Sequence, residues 1–194
     1  MYYQQGLTDA EVMAATNETL KMARISNIEY SKATDYATAA IKGFGLAYQD
    51  LTHINDVYSN LAAKTAASTE EISIAMSKVA SIAHSTGMEL ETTAAFLTQI
   101  IATTREAPET AGTALKTVIA RFAEVKKLIS EGELTGTDEE GTEVSVHKIE
   151  EALKTAGVAL RDTTGQMRDL DDVFIELASR WDSLDTMQQR YIAT

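Results

Sequence analysis

Pro108-Glu109-Thr110-Ala111-Gly112-Thr113-Ala114-Leu115-Lys116-Thr117-Val118-Ile119-Ala120-Arg121-Phe122-Ala123-Glu124-Val125-Lys126-Lys127-Leu128-Ile129 carries the cleanest periodicity in the chain. Ala111, Leu115, Val118, Phe122, Val125 and Ile129 recur at alternating steps of four and three, which places them on one face of a helix. Pro108 stands in the first turn, where its fixed φ suits the helix and its missing N–H has no intrahelical partner to lose. The pattern breaks at Glu131-Gly132. Such a stripe packs along another helix at a shallow angle. We prefer the core face of a bundle. An intermolecular coiled coil is the alternative, although one helix supplies few heptads for it.

Toward the N-terminus the same helical grammar repeats. Thr8-Asp9-Ala10-Glu11 has capping-box spacing and predicts a helix to about Ile25. A second helix is expected from Ser31 to Lys42, stopping at Gly43-Phe44-Gly45. Asp50 is a candidate cap for a third, through Ile54, Val57, Tyr58 and Leu61. Ser68-Thr69-Glu70-Glu71 opens a fourth with Ile72, Met76, Val79 and Ala83 on its apolar face and Gly87 just past its end. A fifth covers Thr92 to Thr104. Gly6-Leu7, Gly45-Leu46 and Gly87-Met88 each precede a helix, at intervals of 39 and 42 residues. That interval fits two helices and two turns, as in arrays of helical hairpins.

Past Glu131 the composition changes. Thr135-Gly136-Thr137-Asp138-Glu139-Glu140-Gly141-Thr142 is polar and turn-rich, and predicts a small β-hairpin or ordered loop. Asp138 to Gly141 lacks the alternating ligands and closing Glu of a calcium loop, so a solvated turn is expected. A seventh helix is expected from Ser145 to Ala156, ending at Gly157. Val158-Ala159-Leu160-Arg161 reads as a short strand, Asp162-Thr163-Thr164-Gly165 as a turn, and Gln166-Met167-Arg168 as the return. A final helix, capped by Asp169 or Asp171, carries Leu170, Phe174, Leu177, Trp181 and Leu184 on one face. The expected fold is therefore mainly α: stacked antiparallel helical hairpins with one or two small β-hairpins in the last third. We place an Ala-rich helical-hairpin array over residues 1–130 and a hairpin/helix module, containing Gly157-Leu184, over 131–194. Gln189-Arg190-Tyr191-Ile192-Ala193-Thr194 shows no capping or stop signal, so the chain reads as a piece of a longer protein.

Composition agrees with this picture and removes several function classes. Apolar residues make up 44% of the 194 but aromatic ones only 6%, so the core must be built from Ala, Ile, Leu, Val and Met. Only one proline and ten glycines interrupt the helices. Seventeen basic against 29 acidic residues leave a net charge of −12, which opposes binding to nucleic acid or an anionic membrane. There is no cysteine, hence no disulfide, thiolate metal site or cysteine nucleophile. No apolar stretch approaches the ~20 residues of a membrane helix, and the first residues do not resemble a signal peptide.

No constellation predicts catalysis. His53, His84 and His147 are isolated from one another and fit no metal-binding spacing. His147 lies one turn from Glu150 and Glu151, which reads as a surface pair. His84, near the helix-ending Gly87, is expected to meet terminal carbonyls. The pairs Glu70-Glu71, Glu139-Glu140, Glu150-Glu151 and Asp171-Asp172 suit helix N-termini, where acids are stabilised as anions, better than a glycosidase cleft. Met13, Met22, Met76, Met88, Met167 and Met187 read as core filler or as an adaptable partner surface. The expectation is no catalytic, cofactor-binding or metal-binding residue and no cofactor.

The order of motifs adds a resemblance. Glu109-Thr110-Ala111-Gly112-Thr113-Ala114-Leu115-Lys116-Thr117-Val118 resembles a helix of phage tail tape measure proteins. So does the later series Ala152-Leu153-Lys154-Thr155-Ala156-Gly157-Val158, Arg161-Asp162, Gly165-Gln166-Met167-Arg168-Asp169-Leu170 and Val173-Phe174-Ile175-Glu176-Leu177 with Trp181 and Leu184. Ser68-Thr69-Glu70-Glu71-Ile72 and Gly87-Met88-Glu89-Leu90 extend the similarity over nearly the whole chain. The resemblance implies a non-enzymatic virion component of a phage or prophage tail, acting in tail assembly, tail length determination and genome ejection. It implies residence in the tail lumen after assembly in the host cytoplasm. The implied partners are tail tube protein, tail assembly chaperones and tail-tip proteins, with self-association in the full-length protein. A generic helical scaffold or interaction domain is the alternative reading, and an enzyme a more distant one.

Overall fold

The computed structural model describes residues 2–137 and 141–193. In chain order the helices are α1 (Asp9–Ser26), α2 (Tyr30–Phe44), α3 (Leu51–Lys64), α4 (Thr69–Ser85), α5 (Leu90–Thr104) and α6 (Pro108–Glu131). Strands β1 (Thr135–Thr137) and β2 (Glu143–Ser145) follow, then α7 (Val146–Thr155), α8 (Leu170–Arg180) and α9 (Thr186–Ala193). The fold is mainly α, with one small antiparallel sheet late in the chain.

The caps explain where the helices begin. Glu11 Oε2 accepts from the Thr8 backbone N–H at 2.9 Å and Thr8 Oγ1 accepts from Glu11 N–H, a complete capping box. Ser68 and Glu71 repeat it at 3.2 and 2.7 Å. One local reading needs correction. Asp50 precedes α3, but its carboxylate accepts from Ala47 N–H and so holds the 3₁₀ turn Tyr48–Asp50. α5 ends on Arg105 in the left-handed region (φ 57°), although no glycine marks that end; the Arg105 guanidinium donates to Ala66 O at 2.8 Å, which secures the turn.

Contacts divide the chain into two compact units, Met1–Ser85 with Glu89–Thr117, and Val118–Thr194 with Thr86–Met88. The division falls inside α6, whereas composition places it at 130/131.

In the first unit consecutive helices fold back on each other, α1 on α2 and α4 on α5, and α4 makes its largest interface with α2. Ala33, Ala37, Ala40, Ile41 and Phe44 are the buried face of α2; Ile72, Ala75, Met76, Val79, Ala80 and Ala83 belong to that of α4. Alanine at so many of these positions allows the backbones to approach closely. At Gly43 an added Cβ would lie 2.5 Å from Ala80 Cβ. At Gly112 it would overlap the Ala75 carbonyl oxygen. Buried Thr19, Ser73, Thr93 and Thr98 satisfy their hydroxyls on the carbonyl four residues earlier, so these four enter the interior with their donors paired.

Ser26 and Tyr58 are exceptions, and Tyr58 is the larger of the two. It is 2% exposed, and its hydroxyl has no hydrogen-bond partner among the described residues. Burial holds its pKa far above the ordinary tyrosine value. Tyr58→Phe is therefore expected to stabilise the protein by about 1 kcal/mol at neutral pH, a rise of about 2–4 °C in melting temperature. Because the folded pKa is raised, Tyr58 contributes its full stability below about pH 10 and loses it as pH rises further. The gain from Tyr58→Phe should accordingly widen in melts taken above pH 10. An unchanged or lowered melting temperature at pH 7 would contradict the orphaned hydroxyl.

In the second unit, Val125 and Leu128 of α6 join Val144, Val146, Leu153, Ala156, Val158, Leu160 and Val173 in one apolar cluster. The stripe along α6 thus differs from the one read in sequence. Ile119 and Leu128 are buried, Phe122 and Ile129 are partly buried, and Val118 is 42% exposed. A strict four–three alternation assumes one straight seam, but a helix advancing 3.6 residues per turn drifts from it.

β1 pairs with β2 in the register Thr135↔Ser145, Gly136↔Val144 and Thr137↔Glu143, as a small hairpin requires. Asp138 to Glu140, part of the loop considered for calcium, lie outside the described residues. The second expected hairpin contracts to a single bridge, Arg161↔Met167, around a turn in which Asp162 Oδ1 accepts from Thr164 and Gln166. α7 appears as expected; α8 has Asp169 at its N-cap position without a side-chain capping bond and stops at Arg180, so Trp181 falls in a 3₁₀ turn (Trp181–Ser183) and Leu184 in the extended residue after it, not on the face of the final helix.

α9 was not anticipated. Asp185 Oδ1 accepts from Met187 and Gln188 N–H at 2.9 and 2.8 Å, and Gln188 Oε1 accepts from Asp185 N–H. Asp185→Ala should cost α9 about 1 kcal/mol, seen as faster amide exchange over Thr186–Ala193 with exchange elsewhere unchanged. Equal exchange in both proteins would show that the cap does not hold this helix.

Candidate functional site

The side chains with most chemical potential are dispersed and locally engaged. His53 on α3 pairs with Glu91 on α5 at 2.5 Å, both about half exposed. The hydrogen bond from His53 holds the Glu91 carboxyl below the usual carboxylate range. The two lie 38 residues apart in sequence, so only the packing of α3 on α5 reveals the pair. His84 departs from expectation: its ring stands edge-on to Phe44, with centroids 6.0 Å apart, rather than reaching the end of α4. His147 lies 3.6 Å from Glu151 one turn on, as an exposed surface pair.

Several of the paired carboxylates that the structure describes are likewise engaged. Glu71 completes the Ser68 capping box, and Glu150 accepts from Arg161 Nε. Asp171 and Asp172 lie in the first turn of α8, where the helix dipole favours anions. Asp162 is held below the usual carboxylate range, chiefly by the Thr164 hydroxyl and further by backbone N–H groups of its turn.

Glu176 lies between Arg168 at 2.8 Å and Arg180 at 2.7 Å, and the Arg168 hydrogen bond is the main cause of its lowered pKa. Arg168 also donates to Ala159 O. This triad closes the turn after α7 onto α8. Only its Glu176–Arg180 half was legible as an i,i+4 pair.

Among the described residues no group of three or more His, Asp or Glu could hold a metal ion. No described helix is long and apolar enough to cross a membrane. What the surface does offer is apolar: Met13, Leu20 and Ile25 of α1 and Tyr30 of α2 are exposed. Leu20, Ala23, Ile28 and Tyr30, together with Arg24, Asn27 and Glu29, line a shallow depression at the α1–α2 turn.

Comparison with known proteins supplies the context. The family model described as phage-related minor tail protein matches residues 1–194. The tape measure protein of Pneumococcus phage Dp-1 is 30% identical over 154 residues, covering 77% of this chain and 13% of that protein. The chain thus spans a small part of that relative's length. No solved structure matches it significantly. With a family match running from its first residue to its last, and motifs in the order noted in its sequence, the chain belongs to the phage-related minor tail protein family.

Proposed function

We propose that this chain is a structural, non-catalytic segment of a tape measure protein, the whole of which acts in tail assembly, in setting tail length and in genome ejection. The observation that carries the reading is its similarity, over 77% of its length, to a tape measure protein of which it would form only 13%. On this reading it resides in the tail lumen and meets tail tube protein, assembly chaperones and tail-tip proteins, with further copies of itself as neighbours. The net charge of −12 is consistent with such a place, since an acidic lining does not retain DNA passing through.

Within the parent protein we assign it the role of a folded module and not of an extended rod. Two compact units with several turns convert few of their residues into axial length, whereas a continuous helix yields ~1.5 Å per residue.

The reading is tested by purifying tails away from capsids and quantifying this chain's peptides against tube protein by mass spectrometry. Peptides that copurify with tails, at a small constant ratio to tube protein, are expected. Peptides confined to the lysate and missing from tails would refute it.

A further inference from the structure

We propose that the chain opens in two stages, the unit containing Val118–Thr194 before the unit containing Glu89–Thr117, with α6 parting near Thr117. The inference rests on the fold and holds whatever the tail role of the protein.

The first argument is that α6 serves two cores. Ala111, Gly112 and Leu115 are buried in the first unit, with Gly112 against Ala75. Val125 and Leu128 belong to the apolar cluster of the second. At the division Val118 is 42% exposed, while Ile119 beside it is buried. No single core therefore holds both halves of the helix, and a helical segment deprived of its packing is marginal on its own.

The second argument is the unequal strength of the cores. Of the twelve largest fully buried side chains named among the described residues, eight lie in the first unit and four in the second. The second unit leaves its rings Phe122, Phe174 and Trp181 only partly buried. Its sheet is a two-stranded hairpin of three residues a side, a form scarcely stable alone. The Arg161–Glu150 and Arg168–Glu176 ion pairs are about one-third to one-quarter exposed, and partly solvated pairs add little. Regions with fewer buried apolar contacts open first.

The methionines report on each stage. Met22 and Met76 are buried in the first unit at 2% and 1% exposure, and Met88 in the second at 2%. Met13 and Met187 are 70% and 83% exposed and serve as internal controls. Hydrogen peroxide transfers one oxygen atom to an accessible thioether, giving sulfoxide and water, so sulfoxide formation tracks exposure.

The whole chain is pulsed with peroxide across a guanidinium series and each methionine is followed by peptide mass spectrometry. Met13 and Met187 should oxidise without denaturant. Met88 should become reactive at a midpoint lower than that of Met22 and Met76 by about 0.5 M or more. Leu128→Ala should lower the Met88 midpoint further and leave that of Met76 in place. Coincident midpoints for the three buried methionines, Met76 opening first, or an equal shift of both by Leu128→Ala would each overturn the proposal.

Discussion

Gly112→Ala is expected to lower the stability of the first unit by about 2–3 kcal/mol, although alanine is favoured over glycine inside a helix by about 1 kcal/mol. The sign is decided by what the new methyl meets. At Gly112 a Cβ would overlap the Ala75 carbonyl oxygen and crowd the Ala75 carbonyl carbon and Cα. All are backbone atoms of α4, which cannot turn aside as a flexible side chain would. α6 must slide or tilt away, and the contact that orders its N-terminal half is lost. Thr113→Ala, one residue on and exposed, should stay within about 0.5 kcal/mol of the parent. Denaturant titration of the three proteins gives the comparison. A stabilised Gly112→Ala would mean that α6 and α4 do not approach at this point.

The second large effect is expected at Leu128. It is 2% exposed within the second unit's cluster, and Gly136 of β1 lies so close that a Cβ there would come 2.8 Å from Leu128 Cδ2. Leu128→Ala removes the side chain that seats both the end of α6 and the hairpin. The cost should be about 2–4 kcal/mol, combining lost burial with an unfilled cavity. Val118→Ala, at a position 42% exposed, should cost well under about 1 kcal/mol. The pair discriminates between two stripes on one helix. A larger loss at Val118 than at Leu128 would restore the stripe read from sequence alone.

That stripe shows what could and could not be read without coordinates. Helix starts with reciprocal caps, Thr8 with Glu11 and Ser68 with Glu71, are local chemistry and were legible. Pro108 and the hairpin before α7 were legible for the same reason. Whether Ile119 or Val118 faces inward depends on which partner lies beside α6, and the partner changes along its length. Gly112 in isolation reads as a weak point in a helix, and only Ala75 gives it a purpose. α9 was overlooked because Asp185-Thr186-Met187-Gln188 closes so near the end of the chain.

Function was legible in a different way. The histidines and acids carry no catalytic pattern in sequence, and several of those the structure describes serve caps, turns and pairs such as His53–Glu91 and Arg168–Glu176. The family could be recognised from the order of ordinary helical motifs, which a match over residues 1–194 then supports. The exposed Met13, Leu20 and Tyr30 name no partner, since surface apolar residues specify none by themselves.

The most direct test of the central claim is in-frame removal of residues 8 to 184 from the parent gene, with infectivity counted and tails measured by negative-stain electron microscopy. The deletion removes 177 residues, worth ~265 Å as one extended helix. A folded module required in the tail predicts loss of infectious particles, with any tails that form keeping the parental length. Fully infectious phage with parental tails would contradict a tail role for this segment, and viable tails shorter by ~265 Å would contradict its being a folded module.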